Sequence, residues 1–582
     1  MLDIKHPESN LKHDNIYYNF IKSIRKMFKS AFIVFIFIGA NSVTAQTLFW
    51  AKNFGSLQED YGYSTTVDNL GNVYTIGRFT GTVDFDPGTG IVNLTSGGSA
   101  DIFVHKMDAL GNFIWARSFV GNMLDYGNHI TLDSLGYVYT TGSYQGTVDF
   151  DPGEGTAYLT SAGISDVFVH KMDTSGNFVW VKSFGGIDND EGATIRLDIN
   201  GNIYTTGNFK GIVDFDPGIG TANLNSSGQN GIFIQKMDAL GNFIWVKSLS
   251  GIKGYGHLDA NGNVYTIGRF QGIVDFDPST GIANLSSAGL TDVFIQKMDA
   301  LGNFIWAKSF GGISEDNGLQ IVIDGTGNVY SIGSFQETAD FDPGPGTVNH
   351  TSVSDEDVFV QKMDASGNFI WTKTFGGLEQ DRGFCIALDA SGNIYSTGYF
   401  EETVDFDPGP GTANLTAKGT DVFIQKMDAS GNFLWAKSFG DIGEDVAFSI
   451  FVDAIGNVYS TGYFEGTVDF DPGVGISNLT SIGDSDIFVH KISQGTTGII
   501  KLGQGIQIKV YPNPSSDFVQ ISFKEVLNKV EISVTDLQGK QVFSKRLNQV
   551  SHEQIKLDWQ AGIYFLKINT PTEQSVVKLI KE

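Results

Sequence analysis

Val83-Asp84-Phe85-Asp86-Pro87-Gly88 recurs, as itself or as a near copy, six more times along the chain. The leading aspartates are Asp84, Asp149, Asp214, Asp275, Asp340, Asp405 and Asp469, at intervals of 61 to 65 residues. A fixed period of that size marks repeated supersecondary units, each burying its apolar faces only against its neighbours. Seven units fill roughly residues 48–493 of a 582-residue chain, so function has to be read from what recurs.

Within the first unit, residues 64–68, 73–79, 101–108 and 113–119 read as four strands, the first and last pairs joined by hairpins of the form Asp-x-x-Gly-Asn. The Asp carboxylate of such a turn bonds backbone N–H groups ahead of it and the Gly accepts positive φ, so Asp68 and Asp108 read as structural. The third and fourth strands, with Ile102, Phe103 and Val104 and then Phe113, Ile114 and Trp115, are apolar on both faces. Sheets stacked around an axis cover both faces, whereas an open sheet with one wet face alternates. The series Trp50, Trp115, Trp180, Trp245, Trp306, Trp371 and Trp435 then fills the gaps between neighbouring sheets. The array opens with a lone fourth strand, 48–54, and closes with a lone third strand, 486–493. Joining these halves of one hairpin completes a seventh blade and removes the exposed edges. The expected fold class is therefore all-β, a seven-bladed β-propeller over 46–493, with an open solenoid as the alternative.

Each unit resembles the bacterial β-propeller repeat of the SBBP family, carried here by Trp-Ala-Lys-Ser-Phe-Gly-Gly, by Leu-Asp-x-x-Gly-Asn-Val-Tyr-x-Thr-Gly and by Asp-Val-Phe-Ile-Gln-Lys-Met-Asp-Ala-Ser-Gly-Asn. The resemblance implies a propeller used outside the cell and implies no particular activity.

The ends carry addresses. The apolar run 31–40 follows Arg25, Lys26 and Lys29 and precedes Val43-Thr44-Ala45, which reads as a secretory signal over 1–45 cut after Ala45, with Met27 as a possible true start. It is too short for a transmembrane anchor. The repeat stops at a linker, 494–505, and residues 506–582 read as short alternating strands of a small β-sandwich. Tyr511-Pro512-Asn513-Pro514, Asp536 with Gly539, Gly562 with Tyr564, and Lys578 near the end resemble the type A C-terminal sorting domain of the type IX secretion system. That resemblance implies Sec export to the periplasm, passage across the outer membrane, and a sortase-like peptidase that attaches the cargo to the cell surface.

One cysteine, Cys385, excludes an intramolecular disulfide. Residues 46–505 hold 22 basic and 54 acidic groups, a surface that repels nucleic acid and anionic lipid and favours cations or basic partners.

Candidate chemistry lies in the repeated carboxylate pairs: Asp84 with Asp86, Asp149 with Asp151, Asp214 with Asp216, Asp275 with Asp277, Asp340 with Asp342, Asp405 with Asp407 and Asp469 with Asp471. Paired carboxylates repel unless neutralised, and Ca2+ takes carboxylate and carbonyl oxygens in flexible geometry. Alternatively Asp86 opens a type II turn with Pro87 and Gly88 at its centre, while Asp84 accepts backbone bonds. The connections between units add Glu59, Asp60, Asp125, Asp190, Glu191, Glu315, Asp316, Asp381, Glu444 and Asp445, which the topology places on the same face as the motifs. A four-residue deletion at 251–257 leaves a gap in that acidic rim. His105, His170 and His490 share one repeat position with Gln235, Gln296, Gln361 and Gln425 and read as exchangeable polar residues, not a metal triad. The expectation is a non-enzymatic, surface-displayed propeller that binds glycan or protein, or acts as a spacer. A secreted carbohydrate-active enzyme and a calcium-stabilised structural protein are the alternatives.

Overall fold

A computed structural model describes residues 46–473, 475–494, 508–511, 518–536, 540–560, 562–570 and 574–581, and every regular element among them is a strand. They fall into two compact units, one of them Gln46–Gln494 and the other holding the C-terminal strands. The expected leader with its cleavage at Ala45, and Pro512, Asn513, Pro514 and Gly539, lie outside the described residues. No helix of the described residues is long and apolar enough to cross a membrane.

The first unit repeats one antiparallel pattern of four strands. Tyr61–Val67, Val73–Phe79, Asp101–Met107 and Phe113–Phe119 pair in that order. Five sheets of this kind form, and two further sets of four are joined into an eight-stranded sheet by the short pairing Gly311↔Asp340 and Gly312↔Ala339. The last set takes its fourth strand from the other end of the chain: Gln46–Phe54 pairs with Asn478–Gln494, Ala51 opposite His490 and Phe54 opposite Ile487. The first strands of the seven sets, Tyr61–Val67, Tyr126–Leu132, Glu191–Leu197, Ile252–Leu258, Asn317–Ile323, Arg382–Leu388 and Val446–Val452, lie beside one another in this order, and the last returns to the first.

Local chemistry explains the hairpins. In the first turn Asp68 Oδ1 accepts the N–H groups of Leu70 and Asn72, both at 2.9 Å, and Asn72 Nδ2 donates to Asp68 Oδ2. Gly71 takes φ +83°, which a side chain would strain.

Between sheets the core is aliphatic and aromatic. Ile76, Ile102 and Val104 of one sheet meet Ile130, Tyr144 and Phe150 of the next around Trp115. Trp115 donates its indole N–H to Thr174 O of the following sheet, and Lys106 Nζ lies 4.7 Å from the ring centre of Tyr74. The tryptophans thus pack between sheets, and Trp50, Trp115 and Trp306 hydrogen-bond across the gap.

In the C-terminal unit, a three-stranded sheet (Ile508–Tyr511, Phe518–Leu527, Val550–Lys556) and a four-stranded sheet (Gln541–Leu547, Val530–Asp536, Gly562–Asn569, Gln574–Lys581) share a core of Val519, Ile521, Ile532, Val534, Leu566 and Leu579.

Candidate functional site

The repeated motif is a self-contained turn. Val83 and Phe85 are fully buried, which turns the flanking carboxylates outward. Asp84 Oδ1 accepts the N–H of Asp86 at 3.1 Å and of Val92 at 2.8 Å, and Asp86 Oδ1 accepts Gly88 N–H at 2.8 Å. The same three bonds form at Asp149 with Asp151, Asp214 with Asp216, Asp340 with Asp342, Asp405 with Asp407 and Asp469 with Asp471. Asp275 with Asp277 repeats them, with Ser279 in place of the glycine. The expected type II turn is corrected. Gly88 is not among the residues with positive φ, because the Asp86 side chain itself closes the turn two residues on. A β-carbon on Gly90 would stand 2.1 Å from Asp86 Oδ2, which explains the second glycine of every copy.

The geometry matches the turn reading of these pairs. At the first position of each motif, Asp84, Asp149, Asp214, Asp275, Asp340, Asp405 and Asp469 each spend Oδ1 on two backbone N–H groups. At the second position, Asp86, Asp151, Asp216, Asp277, Asp342, Asp407 and Asp471 each spend Oδ1 on the N–H two residues ahead, and their Oδ2 lies against the second glycine. Among the described residues no three Asp, Glu, His or Cys side chains converge on a metal position. All fourteen residues read as candidate calcium ligands serve in this structure as turn-forming acceptors.

His105 and its counterparts hold that turn from below. His105 Nε2 donates to Phe85 O at 2.9 Å, His490 does the same to Phe470 O, and Gln235, Gln296, Gln361 and Gln425 use Nε2 on Phe215, Phe276, Phe341 and Phe406. His170 occupies the same place, packed on Phe119 and Phe150. Burial pulls the imidazoles of His105 and His170 down to about 3 and that of His490 to about 4, so each is neutral.

The connecting aspartates leave the expected acidic rim, in which Glu59, Glu191, Glu315 and Glu444 remain exposed. Asp60, Asp125, Asp190, Asp316, Asp381 and Asp445 are buried. Each accepts backbone bonds and its own N–H reaches back to the preceding sheet, as Asp60 does to Ser485 O at 2.9 Å. Each also faces a second buried aspartate at the head of a third strand: Asp486, Asp101, Asp166, Asp292, Asp357 and Asp421 respectively. The point where a β-carbon on Gly311 would sit is within 3 Å of both Asp292 and Asp316, and Gly440 is placed likewise between Asp421 and Asp445. Where the chain is four residues shorter, both partners vanish together. Gly231 stands at the strand position and the connecting aspartate is deleted.

The seven first strands enclose a channel, and here the repeats stop resembling one another. In most of them a bulge follows the second residue, and the extra side chain lines a cavity of about 260 Å3. Around the circuit these residues are Tyr63, Asn128, Ala193, Leu319, Phe384 and Phe448, and Tyr255 lines the cavity from the strand that has no bulge. Aromatic rings form one wall, Tyr63 5.5 Å and Phe384 5.4 Å from Phe448. Strand-to-strand bonds knit the circuit: Ser64 Oγ accepts Ile130 N–H, Cys385 Sγ accepts Ile450 N–H, and Ser449 Oγ accepts Thr65 N–H across the chain ends.

A second cavity, about 280 Å3, opens at the channel mouth beside the shortened connection, lined by Lys253, Arg269, Arg382, Glu191, Asn208 and Asn317 among others. Arg382 pairs with the buried Glu356, whose Oε1 receives Asn317 Nδ2, and Arg269 donates to Asn317 Oδ1 at 2.7 Å. Glu191 accepts Asn128 Nδ2 at 2.9 Å. Sequence reasoning centred on the recurring motif missed this site. The signal was available in the sign of the charge, since the first strands carry Arg196, Lys253 and Arg382 against one acid, Glu191, within a strongly acidic array.

In the C-terminal unit, Asp536 Oδ1 accepts Lys540 N–H at 2.8 Å, and the buried Tyr564 donates its hydroxyl to Gln560 O at 2.7 Å. Gly562 opens the strand that ends at Asn569 and pairs with Lys581, Tyr511 ends a strand, and Lys578 pairs with Phe565.

Among known proteins, an uncharacterized WD repeat-containing protein of Acanthamoeba polyphaga mimivirus is 25% identical over 504 residues, 72% of this chain and 36% of its own length. The regulatory protein FlaEY of Caulobacter vibrioides is 27% identical over 199 residues, 33% of this chain and 20% of its own. The chain therefore spans about a third and a fifth of these relatives, and the first points to the same kind of repeated β-structure. A crystal structure of dimeric latent PorU from Porphyromonas gingivalis overlaps 65% of the chain and 34% of its own at 11% identity and a TM-score of 0.12, too slight a likeness to bear on the fold. Residues 509–582 match the family described as Secretion system C-terminal sorting domain, which indicates export through the type IX secretion system to the cell surface or outside.

Proposed function

We propose that Gln46–Gln494 is a seven-bladed β-propeller, exported by its sorting domain, displayed on the cell surface, and used to bind a ligand in its central channel without catalysis. The seven sets of four strands, the closed circuit of first strands and the completion of the last set by Gln46–Phe54 support the architecture. One observation carries the function: the blades are near copies on their outer faces and diverge in the channel, where both the side chains and the sign of the charge change. The motif carboxylates are occupied by backbone N–H groups, so the acidic face is turn chemistry and the channel is the place for recognition. Filling the channel with Ala193→Phe is expected to abolish capture of ligand on a glycan and peptide array, while Asp84→Asn on the outer face leaves it unchanged. Equal capture by both variants would refute the assignment to the channel.

A further inference from the structure

The channel wall holds a guanidinium with no counter-charge. Arg196 lies on the first strand of the third sheet, its Nε is buried without a protein partner, and it enters none of the ion pairs among the described residues. The equivalent positions on the other first strands are Thr66, Thr131, His257, Val322, Ala387 and Phe451, none of them acidic. His129 and His257 sit on the two neighbouring strands, and the Nδ1 atom of each is likewise buried without a partner. A cation held out of bulk water stays uncompensated until an anion arrives, and a guanidinium favours a planar, bidentate one. Aromatic rings line the opposite side of the same cavity.

We infer that the channel is an anion site in which Arg196, flanked by His129 and His257, takes the carboxylate of a ring-bearing ligand, the terminal uronic acid of a polysaccharide, whose ring packs on Tyr63, Phe384 and Phe448. The inference rests on the reading of the channel as the ligand site. A cavity of about 260 Å3 admits a single sugar ring, and sugar rings present C–H faces that suit aromatic walls. The acidic exterior repels a long polyanion lying across it, so a chain end entering the positively charged channel is the favoured form.

The charged and titratable groups around the site are Arg196, His129, His257, Cys385, Tyr63 and Tyr255, with Glu191, Lys253, Arg269 and Arg382 at the mouth. Burial brings Arg196 down to about 10, so it remains charged at neutral pH. Burial, and then the nearby guanidinium, hold His129 and His257 far below the usual imidazole value, so both are neutral in the empty site. A bound carboxylate reverses the field on the imidazoles and draws protons onto them, so binding tightens as pH falls.

The test is calorimetric titration of the full chain with glucuronate and galacturonate against glucose and galactose, which share the rings and lack the carboxylate. The uronates should bind about ten-fold or more tighter than the neutral sugars, Arg196→Gln should remove that advantage, and acetate should compete in the wild type. Affinity for the uronates should rise as pH falls, for as long as the ligand carboxylate stays ionised. Equal binding of neutral and acidic sugars, or full uronate binding by Arg196→Gln, overturns the anion site. If Ala193→Phe still abolishes the neutral binding, the channel reading stands without it. No binding of any of the four sugars by the wild type overturns the uronic acid assignment. Should Arg196→Gln fail to fold, Arg196→Lys, which keeps the charge and loses the fork, must weaken the uronates and spare the neutral sugars.

Discussion

Trp50 donates its indole N–H to the carbonyl of Ala109 at 3.2 Å, fifty-nine positions along the chain. Trp115 makes the same bond to Thr174 and Trp306 to Ala365, each across the same 59 residues. The N-terminal strand therefore contacts the sheet after it as the fourth strands carrying Trp115 and Trp306 contact their successors, although it completes a sheet whose other strands lie at the far end of the unit.

Removal of residues 46–54 is expected to leave the ring with an open edge. Trp50 and Phe54 are buried there, and losing such side chains costs roughly 3–5 kcal/mol each. Thermal melts should show a lower, broader transition, and limited proteolysis should cut first within 478–494. An unchanged melt would contradict the closure.

The exchange of His for Gln beneath the motif turn makes a sharp prediction. His105→Gln keeps an N–H donor for Phe85 O and should change stability little. His105→Leu strands that carbonyl and should cost about 1–3 kcal/mol in denaturant titrations.

Calcium and chelator should give superimposable melting curves, because the motif carboxylates are committed to backbone N–H groups. Asp84→Ala frees two of those donors and should destabilise by about 1–2 kcal/mol. A calcium-dependent rise in melting temperature would restore the metal reading.

Stability should peak in mildly acidic solution. Burial raises Asp60, Asp316, Asp381 and Asp445 to about 7 and Asp190, Asp292 and Asp357 to about 6, and at Asp60, Asp190, Asp316, Asp381 and Asp445 the facing carboxylate adds to it. The folded state holds protons that the unfolded chain releases near pH 4, so this contribution is complete below about pH 4 and is lost as pH rises through 6 to 7. Hydrogen bonds lower Asp108, Asp173, Asp238 and Asp364 in the hairpin turns, against the opposing pull of burial, so their contribution is present above about pH 4 and lost in stronger acid. Tryptophan fluorescence, with seven of the eight tryptophans in the ring, reads the unfolding midpoint against pH. Asp316→Asn should flatten the alkaline limb, and a midpoint that rises from pH 5 to pH 8 would contradict the pairing.

Deletion of 506–582 should leave a folded ring in the periplasm of a type IX host. Fractionation and surface proteolysis check this. Surface display of the shortened chain would contradict the sorting assignment.

The period, the hairpin turns and the split hairpin at the chain ends were all legible because each is local or strictly repeated. Asp68, for instance, meets its partners within four residues. Buried pairs such as Asp60 and Asp486 were not legible, since a carboxylate in a polar connection reads as solvated until its distant partner and its enclosure are known. Gly88 misled because Asp-Pro-Gly suits several turns, and only the bond from Gly88 N–H to Asp86 Oδ1 distinguishes them. The channel residues escaped notice because they do not recur, and lining up the first strands to look for divergence would have found them.

Pairing of Gln46–Phe54 with Asn478–Gln494 also sets the order of assembly. Thr47 meets Ser493 across 446 residues, and bringing two such distant points together in a featureless chain costs about 4 kcal/mol more than closing a hairpin. Each intervening sheet forms from neighbouring strands, and stacking carries the ends progressively toward each other, so most of that cost is met before the ends touch. The strand of this unit that is made first is thus the last to find its partner, and until residues 478–494 are in place it is an unpaired edge open to pairing with other chains.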